Sequence, residues 1–239
     1  MAGTELKYKA DGLNMVGSLH RPAKSGRAPG VIVFPEAFGL GEHAIEKAEK
    51  LAQLGYVALA ADLHGGRSIV GGAAVGEALA PLRTDAARVR ARTNETLQAL
   101  LAQPDVDPSR IAALGFCFGG TMSFELALSG ADIKAAIGFH SGLTVTSPQD
   151  VGRIKGKVMA LLGADDPGIP AEQRDAFQRM LTEAGVDWQM TLYGGVVHSF
   201  TNPEAGKMGR PDFARYDERA DRRSWAQMAD LLEEVFGGD

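Results

Sequence analysis

The chain has 239 residues, of which 45% are hydrophobic and 23% are charged, which is the balance of a folded globular protein and excludes a disordered one. Its 25 Lys and Arg against 30 Asp and Glu give a formal charge of −5, so no basic excess points to nucleic acid. Every apolar stretch is shorter than the roughly 18 residues of a membrane span, and the N-terminus lacks the apolar core of a secretion signal. We therefore expect a cytoplasmic protein with no nucleic-acid or membrane partner, built as a single domain over residues 1–239.

Short apolar runs alternate with amphipathic stretches along the whole chain. The segment from Lys7 to Pro22 predicts two strands about a turn at Asp11 and Gly12. The elements predicted after it are strand 30–36, helix 41–55, strand 56–63, a flexible or lid-like loop 65–76, helix 79–101, strand 110–117, helix 119–128, strands 133–141 and 157–165, helix 170–185, strand 187–195 and helix 216–236. This order predicts an α/β fold with a mainly parallel central sheet and helices on both faces, and ligands of such sheets bind beyond the carboxyl ends of the strands.

The single cysteine, Cys117, lies between a predicted strand and a predicted helix. A lone cysteine excludes an intrachain disulfide and is by residue type a small buried hydrophobe more often than a nucleophile. Its surroundings, Gly115-Phe-Cys-Phe-Gly-Gly120, have the G-x-nucleophile-x-G spacing of a nucleophile elbow, with Cys in place of Ser. In such a turn the helix N-terminus favours the thiolate, and the first helix amides, including that of Phe118, face the reacting atom.

A cysteine nucleophile needs a base, and the base needs an acid that orients it. Only His140 and His198 follow Cys117, and no acid at a strand end lies between Cys117 and His140. His198 follows the last predicted strand and is preceded by two acids in one turn, Asp165 and Asp166. We prefer Asp166, which is deeper in the turn, and interpret Asp165 as a turn or capping residue; the order nucleophile, acid, histidine is that of an α/β-hydrolase.

These segments resemble the dienelactone hydrolase family of α/β-hydrolases over nearly the whole chain. The matching motifs are the elbow around Cys117, the acid turn Gly163-Ala-Asp-Asp166, the histidine loop from Tyr193 to Phe200, and Pro35-Glu-Ala-Phe-Gly39 after a predicted strand. The resemblance implies an α/β-hydrolase fold, a triad of Cys117, His198 and Asp166, and no metal or cofactor. It also implies that Glu36 lies near the thiol and helps control its protonation, and that the amides of Ala37 and Phe118 form the oxyanion hole.

The chain departs from the family pattern where dienelactone-cleaving members hold the substrate carboxylate with two arginines. Asn202 stands at one of these positions, and at the other Arg67 is displaced by one residue. The substrate pocket is therefore predicted to involve Phe38, Arg67, Phe200 and Asn202, with an apolar character. We expect a small-molecule ester substrate that is uncharged, such as an aryl ester or a lactone.

Two other functions remain open from the sequence. The same triad could attack a phosphotriester, or the chain could be a binding or redox-sensing module that keeps Cys117 as a reactive thiol. The oligomeric state is open as well, with a homodimer as one state that the chain could adopt.

Overall fold

An eight-stranded sheet with the strand order β1-β2-β4-β3-β5-β6-β7-β8 forms the centre of the protein, in a computed structural model that describes residues 3–146 and 148–237. The strands are β1 (Thr4–Ala10), β2 (Leu13–His20), β3 (Ala28–Phe34), β4 (Val57–Ala60), β5 (Val106–Phe116), β6 (Ala135–Phe139), β7 (Lys157–Gly163) and β8 (Trp188–Tyr193). β2 pairs antiparallel with both β1 and β4, and every other pairing is parallel. The predicted mainly parallel sheet is confirmed.

Helices cover both faces of this sheet. They are α1 (Glu42–Gln53), α2 (Ala74–Thr84), α3 (Ala86–Leu101), α4 (Phe118–Leu128), α5 (Ala171–Glu183) and α6 (Glu218–Phe236), with short 3₁₀ helices at Pro148–Arg153 and Pro203–Met208. Helices are needed on both faces because apolar side chains alternate along β3. Ile32 belongs to the apolar cluster under α2 to α5, and Val33 belongs to the cluster under α1 and α6. Within the described residues, no helix combines the length and the apolar content that crossing a membrane would require.

The predicted helix 79–101 is wrong in one respect, because two helices stand in its place. The chain is extended at Asp85, whose φ is −122°, and its carboxylate caps α3 by accepting hydrogen bonds from the N–H groups of Ala87 and Arg88. The first of the two helices begins at Ala74, inside the predicted loop 65–76, because Val75 and Leu79 pack against the core and Gly76 does not prevent it. This pair of helices contributes to the site described next.

Candidate active site

Cys117 lies directly between β5 and α4 at the carboxyl end of the central strands. Its φ is +54°, a left-handed conformation that is rare for a residue with a side chain and that persists only when the surroundings impose it. Its N–H donates to the carbonyl of Phe139 at 3.0 Å and to Nδ1 of His140 at 3.2 Å. The neighbouring strand β6 and the residue that follows it therefore hold the turn in place.

The glycines around Cys117 are required by close approaches of the backbone. A Cβ on Gly115 would collide with the backbone of Gly119, and one on Gly119 would collide with the carbonyls at the end of β3. A Cβ on Gly120 would collide with Ser141 Oγ. The glycines of the motif therefore stand at the three positions where a side chain would collide with the neighbouring chain.

His198 and Asp166 follow β8 and β7, and the sheet brings them together. His198 Nδ1 donates to Asp166 Oδ2 at 2.7 Å, and the other oxygen of Asp166 accepts from the N–H of Gly168 at 2.8 Å. Asp166 is buried, whereas its neighbour Asp165 is exposed. The structure therefore places Asp166, rather than Asp165, in position to orient the imidazole.

The other side of the imidazole faces the nucleophile. Burial by itself lowers the pKa of His198, but the Cys117 thiolate, which is hydrogen-bonded to the ring, and the Asp166 carboxylate together raise this pKa to about 10. The site therefore favours the imidazolium form of His198 beside Cys117, and the thiolate is the form in which a cysteine attacks a carbonyl.

Two backbone N–H groups beside the elbow are available to a ligand. Within the described residues, the N–H groups of Ala37 and Phe118 donate to no backbone or side-chain acceptor. Phe118 is the first residue of α4, where a helix leaves its N–H unpaired. The segment of Ala37 is fixed because its carbonyl accepts from His64 Nε2 at 2.9 Å, a contact that the sequence did not indicate.

Glu36 is buried close to the triad but bonds to other partners. Its Oε2 accepts from Asn202 Nδ2 at 2.8 Å, and its Oε1 accepts from Ser199 Oγ at 3.4 Å. Burial raises the pKa of Glu36, and the hydrogen bond from Asn202 opposes this shift. In the described part of the chain, Glu36 has no hydrogen bond to Cys117, so any influence on the thiol reaches it through space.

A cavity of about 400 Å³ opens beside Cys117 and His198. This volume is in the range of small-molecule sites. Its walls come from α2 to α5 and from the loops after β6 and β7. The lining residues are Leu82, Arg83, Val89, Cys117, Phe118, Thr121, Glu125, Gly142, Thr144, Thr146, Gly168, Ile169, Gln173, His198 and Phe213.

The pocket residues predicted from the sequence do not line this cavity. Phe200 is fully buried and packs edge-on against His140, with ring centroids 5.3 Å apart. Asn202 bonds to Glu36 instead of facing a substrate. The physical reason is that the chain turns inward after His198, so the residues beyond it point into the protein.

The other two predicted pocket residues lie on the segments after β3 and β4. Phe38 is half-buried, and its carbonyl accepts from the N–H of Val70 at 2.9 Å. Arg67 is exposed, and its N–H donates to Asp62 Oδ2 at 2.7 Å. Neither residue is among those that line the cavity, whose walls here come from α2, α3 and the loop after β6.

His140, considered and rejected as a base, has a different place in the site. It is fully buried, its Nε2 hydrogen-bonds to Thr201 Oγ1 at 2.9 Å, and its Nδ1 accepts from the Cys117 N–H. Burial, followed by the nearby charge of His198, lowers the pKa of His140 well below its usual value, so the ring is neutral. It acts as a support of the elbow. Among the described residues, no three His, Cys, Asp or Glu side chains are grouped to hold a metal ion.

Comparison with known proteins gives the same fold and a consistent family. Residues 15–236 match the model of the dienelactone hydrolase family. A Synechocystis protein provisionally named carboxymethylenebutenolidase is 27% identical over 237 residues, which is 92% of each chain. A dienelactone hydrolase-like promiscuous phosphotriesterase from metagenomic libraries is 43% identical, with a TM-score of 0.95 over 99% of this chain and all of its own. The structure called m3DLH is 45% identical, with a TM-score of 0.91 over 98% of both chains.

Proposed function

This chain belongs to the dienelactone hydrolase family and is a hydrolase of ester bonds, and on that premise we propose that it cleaves uncharged carboxylic esters or lactones through a thioester on Cys117. The observation that carries the proposal is the contact of 2.7 Å between His198 Nδ1 and Asp166 Oδ2, with the imidazole hydrogen-bonded to Cys117 at the wall of the cavity.

The first half of the reaction forms the thioester. The Cys117 thiolate attacks the ester carbonyl, and the negative charge that develops on its oxygen is stabilised by the N–H groups of Ala37 and Phe118. The tetrahedral intermediate collapses with cleavage of the bond to the alkoxide, and the imidazolium of His198 donates its proton to that leaving oxygen. Asp166 stabilises the charged ring and holds its tautomer throughout.

The second half releases the acid. With the sulfur acylated, the ring of His198 is neutral and takes a proton from a water molecule that attacks the thioester carbonyl. The C–S bond then breaks, the carboxylic acid leaves, and the thiolate and imidazolium pair is restored. A nucleophilic thiol is best kept reduced in the cytoplasm, which is where we place this reaction.

The composition of the cavity supports an uncharged substrate with a good leaving group, such as an aryl ester. Apolar side chains form much of the wall, namely Leu82, Val89, Phe118, Ile169 and Phe213. Neither Asn202, at one position where the family's carboxylate-binding arginines are expected, nor Arg67, one residue beyond the other, reaches this wall. Arg83, the one arginine among the described residues of the wall, is exposed and lies over the ring of Phe118 at 5.7 Å.

Phosphotriester hydrolysis is the second candidate, and the resemblance to the promiscuous phosphotriesterase favours it. Here the thiolate would attack phosphorus and expel an aryloxide that takes its proton from His198. Water would then cleave the S–P bond with the imidazole as base. A thiolate leaves phosphorus more readily than an alkoxide does, so the phosphorylated enzyme can turn over.

A kinetic panel tests both candidates. We expect the wild type to hydrolyse neutral p-nitrophenyl esters with a higher kcat/KM than an anionic dienelactone, and Cys117→Ala to lose turnover of every substrate while keeping its fold. Asp165→Asn is the matched surface control. Retention of ester turnover in Cys117→Ala would refute the covalent mechanism, and a wild type that turns over neither ester nor phosphotriester would instead indicate a binding or redox module.

A further inference from the structure

The cavity extends well beyond the reacting atoms along one face of α4. Phe118, Thr121 and Glu125 all line it, and their spacing places them on successive turns of the same helix face. Glu125 is the seventh residue after Phe118, so at 1.5 Å per residue its Cα lies about 10 Å further along the helix axis. Glu125 has no part in the mechanism described above.

Within the described residues, only one of the two carboxylate oxygens of Glu125 has a hydrogen-bond partner. The residue is 1% exposed, and its Oε1 accepts hydrogen bonds from the N–H and from the Oγ1 of Thr146, the latter at 2.8 Å. Its Oε2 is buried and has no hydrogen-bond partner among the residues that the structure describes. A buried carboxylate that lacks a cation is costly to maintain, and a ligand that supplies one would remove the cost.

Two other polar side chains that line the cavity, Gln173 and Thr144, bond to each other. Gln173 Nε2 donates to Thr144 Oγ1 at 2.6 Å, and the Gln173 Oε1 accepts from the N–H of Leu143 at 3.2 Å. The guanidinium of Arg83 lies over the Phe118 ring at the exposed rim.

We propose that Glu125 is a recognition subsite for an ammonium group at the far end of the substrate, so that the ester cleaved by Cys117 carries a primary amine several carbons from its carbonyl. An ammonium supplies both the missing charge and hydrogen-bond donors for Oε2. The methylenes between the two ends lie against the apolar walls of the cavity, Leu82, Val89 and Ile169. The inference rests on the proposed function in taking this cavity as the substrate site, and it extends that function from uncharged esters to esters whose far end carries an ammonium.

Protection of the thiol measures occupancy of the cavity without requiring turnover. Cys117 is the only cysteine of the chain, so the rate of its alkylation by iodoacetamide reports the cavity alone. We expect n-hexylammonium to halve this rate at a concentration about tenfold or more below that of n-hexanol, because one contact is charge-assisted.

Two glutamine variants make the comparison specific. Glu125→Gln removes the charge but keeps a carbonyl oxygen that can accept from Thr146, so the loop contact is retained and the preference for n-hexylammonium is expected to disappear. Glu77→Gln, which removes an exposed carboxylate of α2 outside the cavity, is expected to keep that preference. In turnover, p-nitrophenyl ε-aminocaproate is expected to have a higher kcat/KM than p-nitrophenyl heptanoate, again only with Glu125 present.

Equal protection by n-hexylammonium and n-hexanol in the wild type would overturn the proposal, and so would a preference that Glu125→Gln leaves unchanged. If Glu125→Gln fails to fold, the comparison of n-hexylammonium with n-hexanol in the wild type still tests the proposal. The outcome also separates the two proposals: ester turnover without amine preference removes the subsite alone, whereas amine-selective protection without any turnover removes the proposed function and leaves the subsite.

Discussion

Asp165 and Asp166 are adjacent in the chain, yet only Asp166 contacts His198. We expect Asp166→Asn to lower kcat by up to about 10⁴-fold, because an amide mispairs the ring tautomer, as in serine-protease triads. Asp165→Asn, at an exposed position, is expected to change kcat less than about threefold. Steady-state kinetics on a neutral p-nitrophenyl ester checks both, and the reverse ranking would mean that the orienting acid is Asp165.

The raised pKa of His198 fixes one limb of the pH profile. Acylation needs the imidazolium as the acid for the leaving group. Burial lowers the pKa of His198, but Cys117 and Asp166 outweigh it and raise this pKa to about 10. We therefore expect kcat/KM to stay high through neutral pH and to fall as the pH rises through about 10. The measurement subtracts the rate of Cys117→Ala at each pH, and a decline that begins near pH 6.5 would contradict the ion pair.

At the level of residues, the sequence predicts what is local or ordered along the chain and misses what is assembled in space. The glycine spacing around Cys117 and the positions of Asp166 and His198 after successive strands can be read directly, because each has a one-dimensional signature. The cavity walls cannot, since Val89 and Gln173 belong to ordinary amphipathic helices. The partners of Glu36 were also missed, because they depend on the inward turn of the chain after His198.

A change at the junction of α2 and α3 is expected to affect both stability and substrate binding, because the junction lies beside the cavity residues Leu82 and Val89. Asp85→Ala removes the cap of α3 and is expected to cost about 1 kcal/mol in the free energy of unfolding. Because the cavity wall loosens, KM is expected to rise more than kcat falls. Urea unfolding and steady-state kinetics on an aryl ester measure the two effects.

The control for that prediction is a second capping aspartate. Asp217 caps α6 by accepting from the N–H of Ala220, and neither residue lines the cavity. Asp217→Ala is expected to cost a similar free energy of unfolding while leaving KM unchanged. A matching rise of KM in both variants would show that the effect is a general loss of stability.

At the level of elements, the order of strands and helices was predictable because apolar periodicity and glycine punctuation are strong along this chain. The division at Asp85 was not recognised, since apolar residues recur at helical spacing on both sides of it, at Leu79 and Leu82 and again at Val89. At Asp85 the chain can either continue the helix or cap a new one. Tertiary packing decides between the two, and apolar periodicity carries no information about it.

In the molecule as a whole, α1 and α6 cover the face of the sheet opposite the cavity, and an ion pair between the buried Lys47 and the half-buried Asp221 joins them. Lys47 Nζ lies 2.6 Å from Asp221 Oδ1; burial lowers the pKa of Lys47 and Asp221 raises it. Asp221→Ala is expected to cost about 3 kcal/mol, because it leaves a buried ammonium unpaired, whereas Lys47→Met is expected to cost less than about 1 kcal/mol. Urea unfolding compares the two, and equal losses would contradict this account.

The overall architecture follows from a sequence whose strands are apolar on both faces, so helices on both sides were predictable. What joins the layers was not, because the pairing of Lys47 with Asp221 links positions 174 residues apart. Only the assembled sheet, with α1 and α6 packed on the same face, sets such partners side by side.

The central claim is that Cys117 carries the acyl group, and trapping that thioester tests it most directly. The enzyme is mixed with a neutral p-nitrophenyl ester, quenched with acid during turnover, and analysed by mass spectrometry of the intact chain and its peptides. We expect a mass increase of one acyl group on the peptide that contains Cys117, absent from Cys117→Ala. Turnover with no adduct on that peptide, together with full activity of Cys117→Ala, would contradict the account.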